Sequence, residues 1–274
     1  MIEVFQLDFM RRAMVAAFMV GVTAPSIGVF LVQRRLALMG DGIGHVAFMG
    51  VAAGLFFGVS PIVSGIVAAS LAGAGIEVLR ERGRTAGDVA LALIFYGGIA
   101  AGALLTFKSG QGNQVLGYLF GSVLTVDDRD LITLGVAGVV VVAAMTLWRK
   151  EFFALCYDEE VARVSGLPVR TLNFALAVAA AVTVGVTMRV VGILLVSAML
   201  VLPVAIIQQL SRSFKTTVAG SMVLGGVISV GGVLAAFYLD TSPGPTIVLI
   251  AIAAFFAAAL LSRTAIGQTA RSSA

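Results

Sequence analysis

Apolar residues run in unbroken blocks along this chain, with the charged residues gathered between them. A helix rising 1.5 Å per residue needs roughly 20 apolar residues to cross ~30 Å of hydrocarbon. In that medium a backbone N–H or C=O has no water to turn to, so an isolated crossing segment must satisfy itself as a helix. The blocks therefore predict an all-α fold, a polytopic transmembrane bundle of eight or nine spans. They fall at 13–32, 43–59, 62–79, 89–107, 131–148, 172–188, 190–210, 218–239 and 247–261. Composition agrees, since 59% of the 274 residues are hydrophobic and 12% charged. A mean hydropathy of +1.07 lies outside the range of soluble domains. The apolar block around Arg189 is 39 residues long, twice what one crossing needs, which places a tight turn within 187–192.

Glu3 and Asp8 occupy the stretch where a cleavable leader carries basic residues, so the first span is expected to stay in the membrane. With the N-terminus outside and the C-terminus in the cytoplasm, the inner segments carry Arg34, Arg35, Arg80, Arg82, Arg84, Arg149, Lys150, Arg163, Arg170, Arg212, Lys215, Arg263 and Arg271. The outer ones carry Arg11, Arg12, Lys108, Arg129 and Arg189. Thirteen against five fits the preference of basic residues for the cytoplasmic side. The net charge of +4 is thus a matter of topology, and the scattered basic residues form no nucleic-acid module. Arg189 reads as a loop charge near the outer surface. The single cysteine, Cys156, excludes an intrachain disulfide.

The chain reads as one transmembrane domain, 1–274, with two connections too long for simple turns. The outer one, 108–130, contains an amphipathic stretch at 114–124 suited to a short surface helix. In the inner one, 149–171, Asp158 is placed to cap a helix through Glu159, Glu160, Val161 and Ala162, which Gly166 and Pro168 then stop. A rigid cytoplasmic helix of this kind suits a membrane protein driven by a separate motor subunit.

The only histidine, His45, follows Asp41 by four residues where a Gly-Asp-Gly-Ile-Gly-His stretch meets the second span. Residues spaced i, i+4 share a helix face, and a carboxylate with an imidazole can hold one divalent metal ion. A plainer reading makes Asp41 the N-cap of the second span and His45 a core histidine bonded to a carbonyl. No phosphate-binding loop, zinc-protease motif or nucleophile elbow is present, so the chain is expected to be no enzyme and to use ATP, if at all, through a partner. The methionines read as packing residues, Pro203 as a kink, and Gly50, Gly54, Gly58, Gly98 and Gly102 as close helix contacts.

Gly40-Asp41 with His45 resembles the GD-x-x-x-H element of the membrane permeases of metal-cation ABC importers. Tyr118-Leu119-Phe120-Gly121 resembles their Y-L-F-G motif. The run from Val191 through Gly192 to Pro203 resembles their V-G-x-L-L segment, and Asp240-Thr241 with Pro243-Gly244-Pro245 the D-T-P-x-G-P turn of the zinc-uptake branch. Glu159, Ala162 and Gly166 are similar to the Glu-Ala-Ala then Gly pattern of bacterial ABC importers. Gly44 stands where the family usually has serine or alanine, and Ser242 shifts the first proline of the outer turn.

The resemblance implies a type II importer permease in a bacterial inner membrane, carrying zinc, with manganese the alternative metal. It further implies a homodimer with cytoplasmic ATPase subunits and an extracytoplasmic metal-binding protein, surrounded by lipid, with no cofactor besides the transported ion. Asp41 and His45 would be the metal ligands, and Asp158, Glu159, Ala162 and Gly166 the coupling residues. A secondary metal carrier of the cation-diffusion type would need two ligand pairs in one chain, and a chelate permease would need none.

Overall fold

The computed structural model describes residues 7–81, 87–121, 126–211 and 213–272, and of residues 81, 87, 88 and 263–272 the backbone alone. Arg82, Arg84, Arg212 and the last residues of the 114–124 stretch lie outside the described residues. The chain folds as α1 (Asp8–Gln33), α2 (Met39–Phe57), α3 (Pro61–Glu81), α4 (Gly87–Ser109), α5 (Gly112–Phe120), α6 (Asp128–Leu147), α7 (Arg149–Tyr157), α8 (Glu159–Val164), α9 (Val169–Val191), α10 (Ile193–Leu210), α11 (Phe214–Tyr238) and α12 (Pro243–Ser272). No strand occurs among the described residues. Nine of these helices are long and apolar enough to cross a membrane, and they coincide with the nine apolar blocks. The protein is a multi-pass membrane protein.

Burial separates the spans into an inner and an outer set. In α1, 72% of the most apolar stretch is buried, and in α9 61%, whereas in α4, α6 and α12 the share is 22%. Among the inner helices, α9 and α10 contact each other and both α1 and α2, with α11 and α6 against α1, α4 and α3 against α2, and α12 against α10 and α11. Since lipid is as apolar as leucine, helices are held together by close packing. Gly50 and Gly54 face α3, while Gly98 and Gly102 face α2. Gly58 departs from the expectation of a packing contact: it ends α2 at φ +71° with open space around its Cα.

Nine alternating crossings put the α1–α2, α3–α4 and α10–α11 connections at one end of the bundle with α7 and α8, and α5 with the α9–α10 and α11–α12 turns at the other. At the α5 end, Gly192 divides the 39-residue apolar block, at the edge of the expected turn, with φ +79° and ψ 157°. This region is essentially open only to glycine. Gly121, at the end of α5, has φ +73° and ψ 166°. The two backbones meet: a Cβ on Gly192 would stand 2.5 Å from Gly121 N, and one on Gly244 would stand 3.2 Å from Phe120 O. The motifs at 118–121, at Val191-Gly192 and at 243–245 thus form one knot. It fastens α5 to this end of the bundle as a surface helix, with Val115 1% exposed against the bundle and Leu116 and Phe120 each 48% exposed. Arg189 lies in the last turn of α9, where it pairs with Asp130 at 2.7 Å, and the loop assignment is corrected accordingly.

At the other end, α1 and α2 are joined by a turn of five residues, 34–38. Arg35 N donates to Val32 O and Leu36 N to Leu31 O, with Arg35 at φ +58°. This is the double bond pattern of a Schellman stop, with arginine in the left-handed position where glycine is usual.

Candidate metal centre

Because the turn is so short, α2 starts at Met39, four residues before the apolar block at 43–59, and both Asp41 and His45 are helical. Leu38 is the residue preceding the helix, and no side chain caps it, so Asp41 is not the N-cap. As an anion in the first turn it lies in the favourable field of the helix N-terminus. His45 follows one turn later, and Asp41, His45 and Phe48 form one stripe of α2, with Leu38 just before its start.

Helix α4 borders this stripe. A Cβ on Gly98 would stand 2.8 Å from His45 C and from Val46 N, so the absence of a side chain there lets the α4 backbone lie against the histidine. Phe95, one turn earlier on α4, meets the imidazole edge-on, with ring centroids 4.6 Å apart and planes at 80°. Two hollows open along the α2–α4 seam. The one toward the α8 end, of about 240 Å³, is lined by Leu38, Asp41, Leu91, Ala92, Phe95 and Tyr96. The other, of about 480 Å³, lies under α5 and includes Phe48, Thr106, Phe107, Val115 and Leu119. His45 falls between Asp41 and Phe48 along α2, with its ring against Phe95 in the wall of the first hollow.

Both candidate ligands are half-buried, and among the described residues neither is taken up by a hydrogen bond or ion pair. The carbonyl-bonded core histidine is therefore not what the structure contains. Nor does any group of three or more His, Cys, Asp or Glu side chains suited to a metal occur among the described residues. One chain thus supplies a carboxylate and an imidazole, half of the tetrahedral set that zinc usually takes.

The 149–171 segment holds more than the expected single helix. Arg149–Tyr157 forms α7, and Asp158 then caps α8 by accepting hydrogen bonds from Glu160 N at 2.8 Å and Val161 N at 3.0 Å. Gly166, at φ +82° with nothing near its Cα, ends the motif. Ala162 is 2% exposed, its small side chain pressed against the bundle. Glu159 turns inward as well, accepting from Arg34 Nη2 at 2.6 Å. The outward face is formed by Tyr157, Val161 and Val164, which are 83%, 57% and 89% exposed. Such apolar side chains on a polar connection suit docking by another protein.

The pattern that marked Glu159 and Ala162 thus identified the side chains that anchor the helix, while the outward residues carried no signal in the pattern. Arg34 and Asn173, the buried partners of Glu159, were also missed. An asparagine inside an otherwise apolar span was the available sign.

A family model described as "ABC 3 transport family" matches residues 6–262. The chelated iron transport system membrane protein YfeD of Yersinia pestis is 33% identical over 260 residues, covering 94% of this chain and 87% of that protein. The high-affinity zinc uptake system membrane protein ZnuB of Haemophilus influenzae is 26% identical over 229 residues, covering 83% and 87%. Among solved structures, PsaBC from Streptococcus pneumoniae in complex with Fab superposes with a TM-score of 0.84 at 27% identity, covering 94% of this chain and 93% of that one.

Proposed function

Since the chain belongs to the ABC 3 transport family, as a permease of the metal-transporting kind, we propose that it carries divalent transition-metal ions inward, zinc first among them, with Asp41 and His45 as a transient waypoint. The observation that carries this reading is the placement of an uncommitted carboxylate and imidazole on one stripe of a membrane-spanning helix, beside a hollow. An ionisable side chain within a membrane-spanning helix is expensive unless it faces a pathway or a partner.

Zinc is favoured by the imidazole, by the resemblance of 240–245 to the zinc branch and by the relative ZnuB. The higher identity to YfeD supports iron as the second reading. Two copies of the chain about a twofold axis would bring two such pairs together and complete a four-ligand set. In this assembly the α8 end faces the cytoplasm. Tyr157, Val161 and Val164 dock an ATPase subunit on a helix that Asp158, Glu159, Ala162 and Gly166 shape, and the α5 end receives metal from an extracytoplasmic binding protein.

The test is ATP-driven uptake by the complete complex in proteoliposomes, with zinc, iron(II) and manganese in competition. Asp41→Ala and His45→Ala should each lower zinc uptake more than about tenfold while the complex still assembles. Wild-type uptake by both variants would refute the waypoint, and preferential uptake of iron(II) would replace zinc by the second reading. Uptake by the isolated chain without an ATPase would instead indicate a secondary carrier.

A further inference from the structure

A buried polar junction lies where α8, α9 and the end of α1 meet. Arg34 is the residue immediately after α1, and its side chain is 5% exposed. Its guanidinium donates from Nη1 to Asn173 Oδ1 at 2.5 Å and from Nη2 to Glu159 Oε2 at 2.6 Å. Asn173 Nδ2 reaches back to Glu159 Oε1 at 3.5 Å, and the same oxygen lies 3.6 Å from Arg163. One fork thus holds the first residue of α8, the fifth residue of α9 and the C-terminus of α1. On the other side of Arg34, four residues lead to α2, with Arg35 in the left-handed region. The first turn of α2 contains Asp41, and its Gly40 lies against α10, where a Cβ would meet Leu200 Cδ1 at 2.6 Å.

From this geometry we infer that Arg34 is a positioning residue that transmits movement of the docking helix α8 to the start of α2, and so to Asp41 and His45. The inference rests on the proposed waypoint and docking roles. Burial makes the link stiff, because a guanidinium withdrawn from water holds to its partners strongly and cannot be left without them cheaply. Arginine is suited to the position by its planar fork, which satisfies Glu159 and Asn173 together; a lysine ammonium is a single point with no such geometry. Glu159 stands between two cations, the buried Arg34 and the 70% exposed Arg163. When α8 shifts, Arg163 on the same helix stays beside the Glu159 carboxylate and keeps it charged. Arg34, bound to both Glu159 and Asn173, follows that carboxylate and carries the α1–α2 turn with it. A motor bound to α8 would thus move the junction and the start of α2 together.

The experiment compares Arg34→Lys, Arg34→Gln and Glu159→Gln in the complete complex in proteoliposomes, reading zinc ions moved per ATP hydrolysed. Zinc affinity of the nucleotide-free complex is measured in parallel by competition with a chromophoric chelator. Both Arg34 variants should lower the ratio about tenfold, and Glu159→Gln about threefold, with zinc affinity unchanged within about twofold. The exchange Arg34→Glu with Glu159→Arg should restore part of the ratio. A purely structural role would lower uptake and hydrolysis in proportion and leave the ratio at its wild-type value, which would overturn the inference. Should the Arg34 variants not assemble, Glu159→Gln, which keeps the shape of the side chain, decides by the same ratio. Asp41→Ala measured alongside separates the two claims: normal zinc uptake by that variant removes the waypoint, whereas an unchanged ratio in the Arg34 series removes only the link.

Discussion

Replacing Gly192 by alanine tests the idea that the knot at the α5 end is held by backbone approaching backbone. Two costs add. The conformation of Gly192, φ +79° and ψ 157°, is all but closed to residues with a Cβ and costs about 1–3 kcal/mol. The new methyl would stand 2.5 Å from Gly121 N and 2.6 Å from Leu119 O, both main-chain atoms unable to turn aside. Overpacking of this kind costs a further ~1–3 kcal/mol. The sum, about 2–6 kcal/mol, is a large part of the ~5–15 kcal/mol that holds a typical folded protein together. At about 2–4 °C per kcal/mol, the thermal midpoint of the purified protein in detergent should fall by at least about 4 °C. Gly58→Ala is the control, because Gly58 also has positive φ, +71°, but open space around it. It should carry only the conformational cost of ~1–2 kcal/mol. A Gly192→Ala protein melting within about 1 °C of wild type, or a Gly58→Ala protein equally damaged, would refute the backbone-contact argument.

Two other outcomes follow from particular side chains. Burial pushes the Cys156 thiol up to about 11 against the nearby Arg34 charge, so iodoacetamide labelling of the folded protein should stay slow at neutral pH and keep rising beyond pH 10. The folded state holds this proton more tightly than the unfolded chain, whose thiol titrates near 9.0, so its contribution to stability should be lost between about pH 9 and 11; a labelling plateau by pH 9 would contradict the burial argument. Arg35→Gly should raise the thermal midpoint by about 2–4 °C, because the left-handed position at φ +58° costs a side chain ~1 kcal/mol or more that glycine avoids. A fall in the midpoint would show that the exposed Arg35 side chain itself holds the α1–α2 turn.

The number and position of the spans were legible in the sequence because a bilayer accepts only long self-satisfied apolar helices, so composition alone decides existence and length. Local hydrogen bonding made the Asp158 cap legible too, since it needs only neighbours two and three residues away. The i, i+4 spacing placed Asp41 and His45 on one face. It did not reveal that α2 begins at Met39, because that start is set by the Schellman stop after α1 and carries no capping side chain. Contacts between distant parts of the chain were decided by tertiary structure alone. Gly121, Gly192 and Gly244 meet only once α5, α9, α10 and α12 are packed, and Arg34 finds Glu159 and Asn173 across more than a hundred residues of chain. Periodicity records which way a side chain faces. It holds no information on which helix lies opposite, and that choice is made by the fit of small residues at each crossing.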